Sequence, residues 1–280
     1  MTDDVDLLAA DKERRLSAWL AAQGRVAIGY SGGVDSAYLA VVARRTLGAD
    51  AVLAIIGRSE SYPAEQWAAA RRVAEQFDVP VLELRTEELA DPRYAANPSN
   101  RCYFCKTELW GRLVPVARAR GFTTVADGTN ADDLGDYRPG AQAAREHAVV
   151  SPLADLGFTK DEIRRRSRAL ALPTWQQPSS PCLSSRLPYG TPVTAERLRQ
   201  VERAEQALRT LGIVGDLRVR HHDDLARVEL GPAELAHWLA PDAAAQLAEA
   251  VRDAGFARVA VDLRGFRSGS LNVLHGVSAA

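Results

Sequence analysis

The sequence predicts an α/β protein: a doubly wound parallel sheet followed by a smaller C-terminal α+β domain. Short apolar runs alternate with helix-like segments through the first half of the chain, as in parallel sheets covered by helices. A glycine-rich turn after the first apolar run predicts a ligand-binding sheet edge. A proline-rich stretch over residues 173–192 predicts a domain boundary, which we place between residues 1–185 and 186–280.

The elements follow in order from the apolar patterns. Residues 4–23 predict an amphipathic helix. The predicted strands of the sheet are Val26–Tyr30, Ala51–Ile56, Pro80–Leu84 and Thr123–Asp127, and the predicted helices are Ala37–Leu47, Pro63–Phe77 and Cys105–Arg120. In the second domain we predict a helix, Ala195–Leu211, that ends at Gly212. A hairpin follows, with strands Leu217–Arg220 and Ala226–Leu230 joined by a turn at His221–Asp224. Helices over 232–254 and a strand Ala257–Asp262 complete the domain.

Composition restricts the class of protein. Apolar residues make up 46% and charged residues 25% of 280 residues, and the net charge is −1, so no broad nucleic-acid footprint is visible. The start of the sequence lacks a signal pattern and no apolar stretch reaches membrane-span length, so we expect a cytoplasmic protein without a membrane partner. Three cysteines argue against a disulfide framework.

The segment Ser31-Gly32-Gly33-Val34-Asp35-Ser36 predicts a phosphate-binding turn between a strand and a helix. The two glycines permit positive φ and close approach, so backbone N–H groups can converge on an anion at the helix start. The hydroxyls of Ser31 and Ser36 can donate to phosphate, and Asp35 can hold Mg²⁺. The turn is not a Walker A loop, because it has no GxxxxGK[ST] pattern and no adjacent lysine.

The three cysteines are candidate metal ligands. Cys102 and Cys105 have CxxC spacing, which suits a redox pair or part of a metal site, and Cys182 follows in a Pro/Ser/Arg-rich loop. A four-ligand zinc site has little support without a second CxxC. Three cysteines on a [4Fe–4S] cluster would leave one iron open for an atom such as sulfide, whereas three buried apolar cysteines are the structural alternative. We add Glu229 as a candidate ligand.

A second polar turn, Asp127-Gly128-Thr129-Asn130, follows a predicted strand and leads into Asp132, Asp133, Asp136 and Arg138. Clustered carboxylates at a strand end can coordinate Mg²⁺ on ATP, amide and hydroxyl groups can read the nucleoside, and an arginine can neutralise phosphate. An ordinary turn before a solvated helix is the alternative. We assign to nucleotide binding Gly128, Asn130, Asp133 and Arg138.

Arginines alternate along the predicted hairpin. Arg218 and Arg220 share one face of a strand, which suits a multiply anionic ligand, although a solvated sheet face is the alternative. We expect His221 and His222 at the surface of the turn. The run Arg164, Arg165, Arg166 and Arg168 is predicted to form a solvated helix face.

Together these segments resemble the LarE-type pyridinium-3,5-bisthiocarboxylic acid mononucleotide synthases, and the first resembles the PP-loop of the N-type ATP pyrophosphatases. The matching strings run in family order from residue 31 to 229: SGGVDSA, NRCYFCK, DGTNADDLGDYRPG, SPL with a later KDEIR, PCLSSRLPYG and RVRHHDDLARVEL. The combination is more specific than the PP-loop alone.

The resemblance implies an ATP-dependent sulfur transferase that serves the nickel-pincer nucleotide cofactor of lactate racemase. ATP would adenylate a carboxylate of pyridinium-3,5-biscarboxylic acid mononucleotide, and sulfur would then displace AMP. In the family, sulfur comes either from a sacrificed cysteine at the position of Cys182 or from extra sulfide on a three-cysteine [4Fe–4S] cluster. The three cysteines here favour the cluster.

The resemblance also implies roles and partners. Asp35, Cys182, Arg218 and Arg220 would be catalytic, and Arg186 would contact a ligand. ATP, Mg²⁺ and the cluster would be the cofactors. The partners would be a small-molecule substrate, a sulfide donor and further copies of the chain, with a hexamer suggested by the family.

Three other functions are consistent with parts of the pattern. A tRNA-thiolating PP-loop enzyme could use the same cysteines, although the net charge argues against RNA binding. An amide-forming synthase would not need the cysteines. A nucleotide-binding or iron–sulfur sensor would bind ATP without releasing pyrophosphate.

Overall fold

The computed structural model describes residues 2–135, 138–178 and 181–267. They divide into two compact units. The first extends to Glu88 and resumes at Asn100, whereas the second contains Leu89–Ser99 and residues 181–267. The expected single boundary after residue 185 therefore differs from this division in two ways. The second unit starts five residues earlier, and it takes in an upstream segment that no change in composition marks.

The helices and strands agree closely with the predicted alternation. The strands are β1 (Val26–Gly29), β2 (Val52–Arg58), β3 (Val81–Arg85), β4 (Thr124–Ala126), β5 (Leu217–His222), β6 (Leu225–Leu230) and β7 (Arg258–Val261). The helices are α1 (Thr2–Gln23), α2 (Val34–Leu47), α3 (Ala64–Gln76), α4 (Pro92–Ala95), α5 (Arg101–Ala119), α6 (Pro139–Glu146), α7 (Pro152–Asp155), α8 (Lys160–Ala169), α9 (Ala195–Thr210), α10 (Pro232–Trp238) and α11 (Pro241–Asp253).

The first unit contains a parallel sheet in the order β3-β2-β1-β4. Side chains alternate across it, so Val26 and Ile28 join one apolar core while Ala27 joins another. Residues of α1, α2, α3 and α8 contribute to the first core, and residues of α5 and α6 to the second. Helices on both faces confirm the predicted doubly wound class, which places loops after the strands at one ligand-binding edge.

The second unit contains the sheet order β5-β6-β7, in which β5 and β6 are antiparallel and β6 and β7 parallel. Helix α9 buries Leu198, Val201, Ala204 and Leu208, one face at helical spacing. The hairpin turns at Asp223, whose φ is 54°, so β5 continues through His221 and His222. The expectation that the turn begins at His221 was wrong, because both histidines pair with β6.

No helix within the described ranges is both long and apolar enough to span a membrane.

Candidate active site

The Ser31–Ser36 loop joins β1 to the start of α2, as predicted. Gly32 has a φ of 70°, whereas Gly33 is extended, with a φ of −72°, and is the N-cap of α2. Only the first glycine therefore uses the left-handed region that the sequence suggested for both. The amides at the start of α2 have no acceptor inside the helix. They provide the positive end of a helix at the carboxyl edge of the sheet, which suits an anion.

The two serine hydroxyls form hydrogen bonds within the Ser31–Ser36 loop. Ser36 Oγ accepts from the Ser31 amide at 3.2 Å, lies 3.2 Å from Ser31 Oγ, and donates to the Gly33 carbonyl at 3.1 Å. From α3 and the preceding loop, Gln66 and the Tyr62 hydroxyl donate to the Ser31 carbonyl at 3.1 and 2.8 Å. The serines thus shape the loop as well as presenting hydroxyls, and sequence reasoning missed the two outside donors.

Two glycines let neighbouring backbone approach the loop. A Cβ on Gly32 would lie 2.4 Å from the Ala70 Cβ of α3. A Cβ on Gly128, just after β4, would lie 2.8 Å from the Ser36 amide nitrogen. Gly128 was predicted to bind nucleotide, and the structure gives it a steric role: its bare backbone packs against the start of α2.

The Asp35 carboxylate forms an ion pair with Lys160, which is distant in the sequence. Its Oδ2 lies 2.5 Å from Lys160 Nζ, while its Oδ1 is buried without a hydrogen-bond partner among the described residues. Lys160 is the first residue of α8, and its amide donates to Asp132 at 2.8 Å. Sequence reasoning noted that no lysine adjoins the loop and missed Lys160, for which the KDEIR string was the available signal.

The buried oxygen of Asp35 fits a magnesium site. Mg²⁺ prefers hard oxygen ligands and is bound through one or two carboxylates together with substrate phosphates. An unsatisfied carboxylate oxygen beside an anion-binding helix start supplies that type of ligand. Asp35 would therefore hold the ion, with nucleotide phosphates completing its coordination.

In the turn after β4 that was predicted to bind nucleotide, several polar groups form hydrogen bonds with one another. Asn130 Oδ1 accepts from the amides of Asp132 and Asp133 at 3.0 and 3.3 Å, and Asp133 accepts from the Asn130 amide at 3.1 Å. Burial raises the pKa of Asp133. The hydrogen bond from the Asn130 amide and the charge of Arg138, 2.6 Å away, lower that pKa but do not outweigh burial. The oxygen of Asn130 thus caps a 3₁₀ turn. Asp136, also predicted here, lies outside the described residues.

Cys102 and Cys105 lie near the start of α5, three residues apart and on one side of it. Cys102 is exposed and Cys105 is partly buried. Helix α6 packs closely here, since a Cβ on Gly140 would lie 3.5 Å from the Cys102 carbonyl oxygen. None of the chain's three cysteines forms a disulfide bond. The pair offers two thiolate donors in a fixed spacing.

In the second unit, Cys182 directly precedes the 3₁₀ turn Leu183–Arg186. Arg186 Nη1 donates to the carbonyls of Pro181 and Cys182 at 2.6 and 3.1 Å. The same guanidinium makes a two-pronged pair with Glu205, at 2.9 Å for each bond. Arg186 was predicted to contact a ligand, and in the structure it is buried and fixes the backbone of the Cys182 loop.

Arg218 and Arg220 share one face of β5, as predicted, but that face is buried rather than solvated: each residue is 6% exposed. Arg220 donates to Glu229 at 2.9 Å and to the Ser185 carbonyl at 2.9 Å. Burial, followed by the charge of Arg186, lowers the pKa of Arg218. A group of buried guanidiniums raises the local potential and favours an anionic ligand.

Glu229 has a different role from the predicted metal ligand. One carboxylate oxygen pairs with Arg220 at 2.8 Å and the other with Arg227 at 3.0 Å. No group of three or more His, Cys, Asp or Glu side chains within the described ranges is arranged to hold a metal ion. Thiolates are the right donors for an iron–sulfur cluster. However, two of them belong to the first unit and Cys182 to the second, so the structure does not show the three assembled.

His221 is more buried, and two arginines of the run in α8 form more ion pairs, than predicted from the sequence. His221 is 2% exposed, lies edge-on to Phe256 and is 3.2 Å from Gln200, so its predicted surface position was wrong. In α8, Arg166 pairs with Glu13 at 2.7 Å and Arg165 with Asp161 at 2.6 Å. Arg166 thus links α8 to α1, whereas the Arg165 pair lies within α8.

Comparisons with known proteins complete the description of the site. Residues 17–100 match the NAD synthase family model, a stretch that includes the Ser31–Ser36 loop. The uncharacterized protein slr1717 of Synechocystis is 46% identical over 89% of this chain and 92% of its own length. The pyridinium-3,5-bisthiocarboxylic acid mononucleotide synthase of Lactiplantibacillus plantarum is 35% identical over 94% of both chains. The uncharacterized protein MJ0830 of Methanocaldococcus jannaschii is 27% identical over 87% of this chain and 91% of its own.

Proposed function

The chain belongs to the family of pyridinium-3,5-bisthiocarboxylic acid mononucleotide synthases, and from that premise we propose that it is an ATP-dependent sulfur transferase. Its substrate would be pyridinium-3,5-biscarboxylic acid mononucleotide, and its product a thiocarboxylate for the nickel-pincer nucleotide cofactor. It is an enzyme of the ATP pyrophosphatase type. The observation that carries the proposal is the Ser31–Ser36 loop at the start of α2, with the buried oxygen of Asp35 beside Lys160.

The first half-reaction is adenylation. A substrate carboxylate oxygen attacks the α-phosphorus of ATP, the bond to the β-phosphate bridging oxygen breaks, and pyrophosphate leaves. The carboxylate oxygen is thereby converted into part of a good leaving group, AMP. Negative charge develops on the departing pyrophosphate, so the protein must provide positive charge and N–H donors at that position.

Three groups of this chain supply that stabilisation. The amides at the start of α2 point toward the anion. Asp35 would hold Mg²⁺, which would neutralise phosphate charge when bound. Lys160 is placed by the start of α8 and by the hydrogen bond of its own amide to Asp132, so its ammonium group is already oriented beside the loop. It supplies the cation that the loop sequence lacks.

The buried arginines of the second unit would hold the anionic groups of the substrate. Burial, followed by the charge of Arg186, lowers the pKa of Arg218, so a bound anion would stabilise its charged form. Arg220 is fixed by Glu229 and by the Ser185 carbonyl, which limits its motion. Arg186 shapes the Cys182 loop through the carbonyls that it binds.

The second half-reaction replaces AMP with sulfur. A sulfur nucleophile attacks the acyl-adenylate carbon, and the bond from that carbon to the AMP oxygen breaks. We propose that Cys102, Cys105 and Cys182 hold a [4Fe–4S] cluster, which when bound would carry the sulfide at its open iron. The alternative within the proposal is that Cys182 gives up its own sulfur and becomes dehydroalanine.

The function is tested by incubating anaerobically purified protein with ATP, Mg²⁺ and the biscarboxylate mononucleotide. Pyrophosphate and AMP should form only when the mononucleotide is present, and Asp35→Asn should abolish both. ATP cleavage that is independent of the mononucleotide, or accelerated by tRNA instead, would overturn the proposed substrate. A surface variant, Asp11→Asn, serves as the matched carboxylate control.

The sulfur source is tested by analysing iron and acid-labile sulfide. The cluster predicts about four irons per chain, lost in Cys102→Ala. If reconstituted protein holds no iron, the cluster is excluded. Mass analysis of the Cys182 peptide after turnover then decides whether a dehydroalanine has formed. An unchanged peptide would exclude the sacrificial route as well.

A further inference from the structure

The segment Asp91–Asn97, here called the anchor segment, lies between the β3 and α5 elements of the first unit but belongs to the second unit. It contains the short helix α4, whose N-cap Asp91 accepts from the Arg93 amide at 2.9 Å. Two of its residues are completely enclosed: Tyr94 is 1% exposed and Asn97 is 0% exposed. Neither residue has a role in the proposed adenylation or sulfur-transfer steps.

Both enclosed residues bond to the loop that begins with Cys182. The Tyr94 hydroxyl lies 2.6 Å from Ser184 Oγ, two residues after the cysteine. Asn97 Nδ2 donates to the carbonyls of Pro188 and Thr191 at 2.7 and 2.8 Å. Backbone bonds reinforce them, since Gly190 donates to the Asn97 carbonyl at 2.9 Å.

Asn97 adopts a conformation that is uncommon for a residue with a side chain. Its φ is 56°, in the left-handed region, which asparagine tolerates better than most residues. This backbone turn lets one side-chain amide reach two carbonyls of the loop at the same time. Such a strained position persists only where surrounding contacts determine it. The anchor segment is therefore built to hold the loop in one conformation.

Two arginines also bind backbone carbonyls of the same loop. Arg186 binds the Cys182 carbonyl and Arg220 binds the Ser185 carbonyl. Substituting either arginine would alter the proposed substrate site as well as the loop. Tyr94 and Asn97 bond to the loop without belonging to the arginine group, so substituting them loosens the loop while every guanidinium is retained.

From these contacts we propose that Tyr94 and Asn97 are positioning residues for Cys182. They fix the loop of residues 182–191 in the conformation from which Cys182 takes part in sulfur transfer. This inference rests on the proposed function, in which Cys182 either ligates the cluster or donates sulfur. Misplacement of a reacting group by about 1 Å can lower a rate by roughly 100-fold, so loss of these bonds should affect the sulfur step specifically.

The test uses the variants Tyr94→Phe and Asn97→Gly of the full-length chain. Phenylalanine removes one oxygen, and glycine tolerates the left-handed φ while removing both donors. Tyr38→Phe is the matched control, because it deletes a buried tyrosine hydroxyl, bonded to Glu13 at 2.9 Å, in the first unit.

Three quantities are measured on each variant: substrate-dependent ATP–pyrophosphate exchange, thiocarboxylate formation, and the rate at which iodoacetamide alkylates Cys182. We expect exchange within about twofold of wild type and thiocarboxylate formation reduced roughly 10- to 100-fold in both anchor variants, together with an altered alkylation rate. Tyr38→Phe should change neither the ratio of the two activities nor the alkylation rate.

Equal sulfur transfer in wild type, Tyr94→Phe and Asn97→Gly would overturn the proposal. So would a parallel fall in exchange and sulfur transfer that follows loss of stability, since that would show a structural role only. If wild type itself forms no thiocarboxylate, the proposed function fails instead. The alkylation rate would then still decide whether the anchor segment controls the Cys182 loop.

Discussion

The ammonium group of Lys160 lies 2.5 Å from the carboxylate of Asp35, although 125 residues separate them along the chain. The contact brings a cation to a phosphate-binding loop whose own sequence has none. It also leaves the second oxygen of Asp35 buried and unsatisfied among the described residues. One side of the carboxylate is thus neutralised by the protein, and the other is available for a metal ion.

Replacing Lys160 with alanine should lower the rate of adenylation. The ammonium would stabilise charge on departing pyrophosphate, and loss of one such group costs about 100-fold in kcat. Substrate-dependent ATP–pyrophosphate exchange measures the effect, and Lys160→Arg should recover part of it. Arg165→Ala, on the exposed side of the same helix, is the control. If Lys160→Ala retained the wild-type exchange rate, the lysine would have no part in adenylation.

Gly128→Ala should disrupt the phosphate-binding loop by steric conflict. The new methyl group would lie 2.8 Å from the Ser36 amide nitrogen, and backbone atoms cannot yield as a flexible side chain can. We expect a loss of about 1–3 kcal/mol in the free energy of unfolding, together with weaker ATP binding. Gly135→Ala, which meets nothing within 4 Å, is the matched control. Denaturant unfolding and ATP titration should separate the two variants, and equal behaviour would show that the close approach is unimportant.

Removing one buried guanidinium should weaken anion binding in the second unit. Arg218→Met keeps an unbranched side chain but removes the charge that burial and Arg186 make unfavourable. Affinity for pyridine-3,5-dicarboxylate should fall roughly tenfold or more, because a charge-assisted hydrogen bond is lost. The exposed pair of Arg258 with Asp224 supplies the control variant Arg258→Met. Isothermal titration calorimetry measures the affinity of each variant. Unchanged affinity in Arg218→Met would show that this arginine does not bind the substrate.

The pair between Lys12 and Glu162 should make stability depend on pH. Burial would raise the pKa of Glu162, but hydrogen bonds from Lys12 and Thr159 outweigh it, so its pKa lies below the ordinary value. The stabilisation is therefore fully present above the unfolded carboxyl pKa of about 4.3 and is lost as pH falls through the lower folded pKa.

Lys12→Met removes the partly buried cation and should lower the free energy of unfolding by about 3 kcal/mol near neutral pH. The difference from wild type should shrink as the pH falls below the unfolded carboxyl pKa, because Glu162 becomes protonated in both proteins. Urea unfolding over this pH range measures it. A difference that stays constant with pH would mean that the lysine acts through packing alone.

Local sequence order was sufficient to predict the phosphate-binding loop. A buried strand, two glycines and a helix start are consecutive, so no long-range contact is needed to recognise them. The same holds for Arg218 and Arg220, since alternation along a strand fixes their common face. Their burial could not be predicted, because it depends on what packs against that face. The pairing of Glu229 with two arginines depends on the same packing.

Other parts of the site depend on contacts between distant segments. Lys160 and the anchor segment approach their partners only in the folded chain. The KDEIR string contains Lys160 but gives it no role, and no change in composition marks the anchor segment. Tyr94 and Ser184 are separated by 90 residues, yet their hydroxyls are 2.6 Å apart. Asn130 illustrates the opposite difficulty. Its residue type suits a ligand contact and a turn equally well, and the hydrogen bonds show that it caps the turn.

The most direct test of the account is a mass measurement on the product. The protein is incubated anaerobically with ATP, Mg²⁺, a sulfide source and pyridinium-3,5-biscarboxylic acid mononucleotide, and the nucleotides are separated. We predict a product in which sulfur has replaced one carboxylate oxygen, formed together with equal amounts of AMP and pyrophosphate and absent in Asp35→Asn. Release of AMP and pyrophosphate with the substrate mass unchanged in fully reconstituted protein would contradict it.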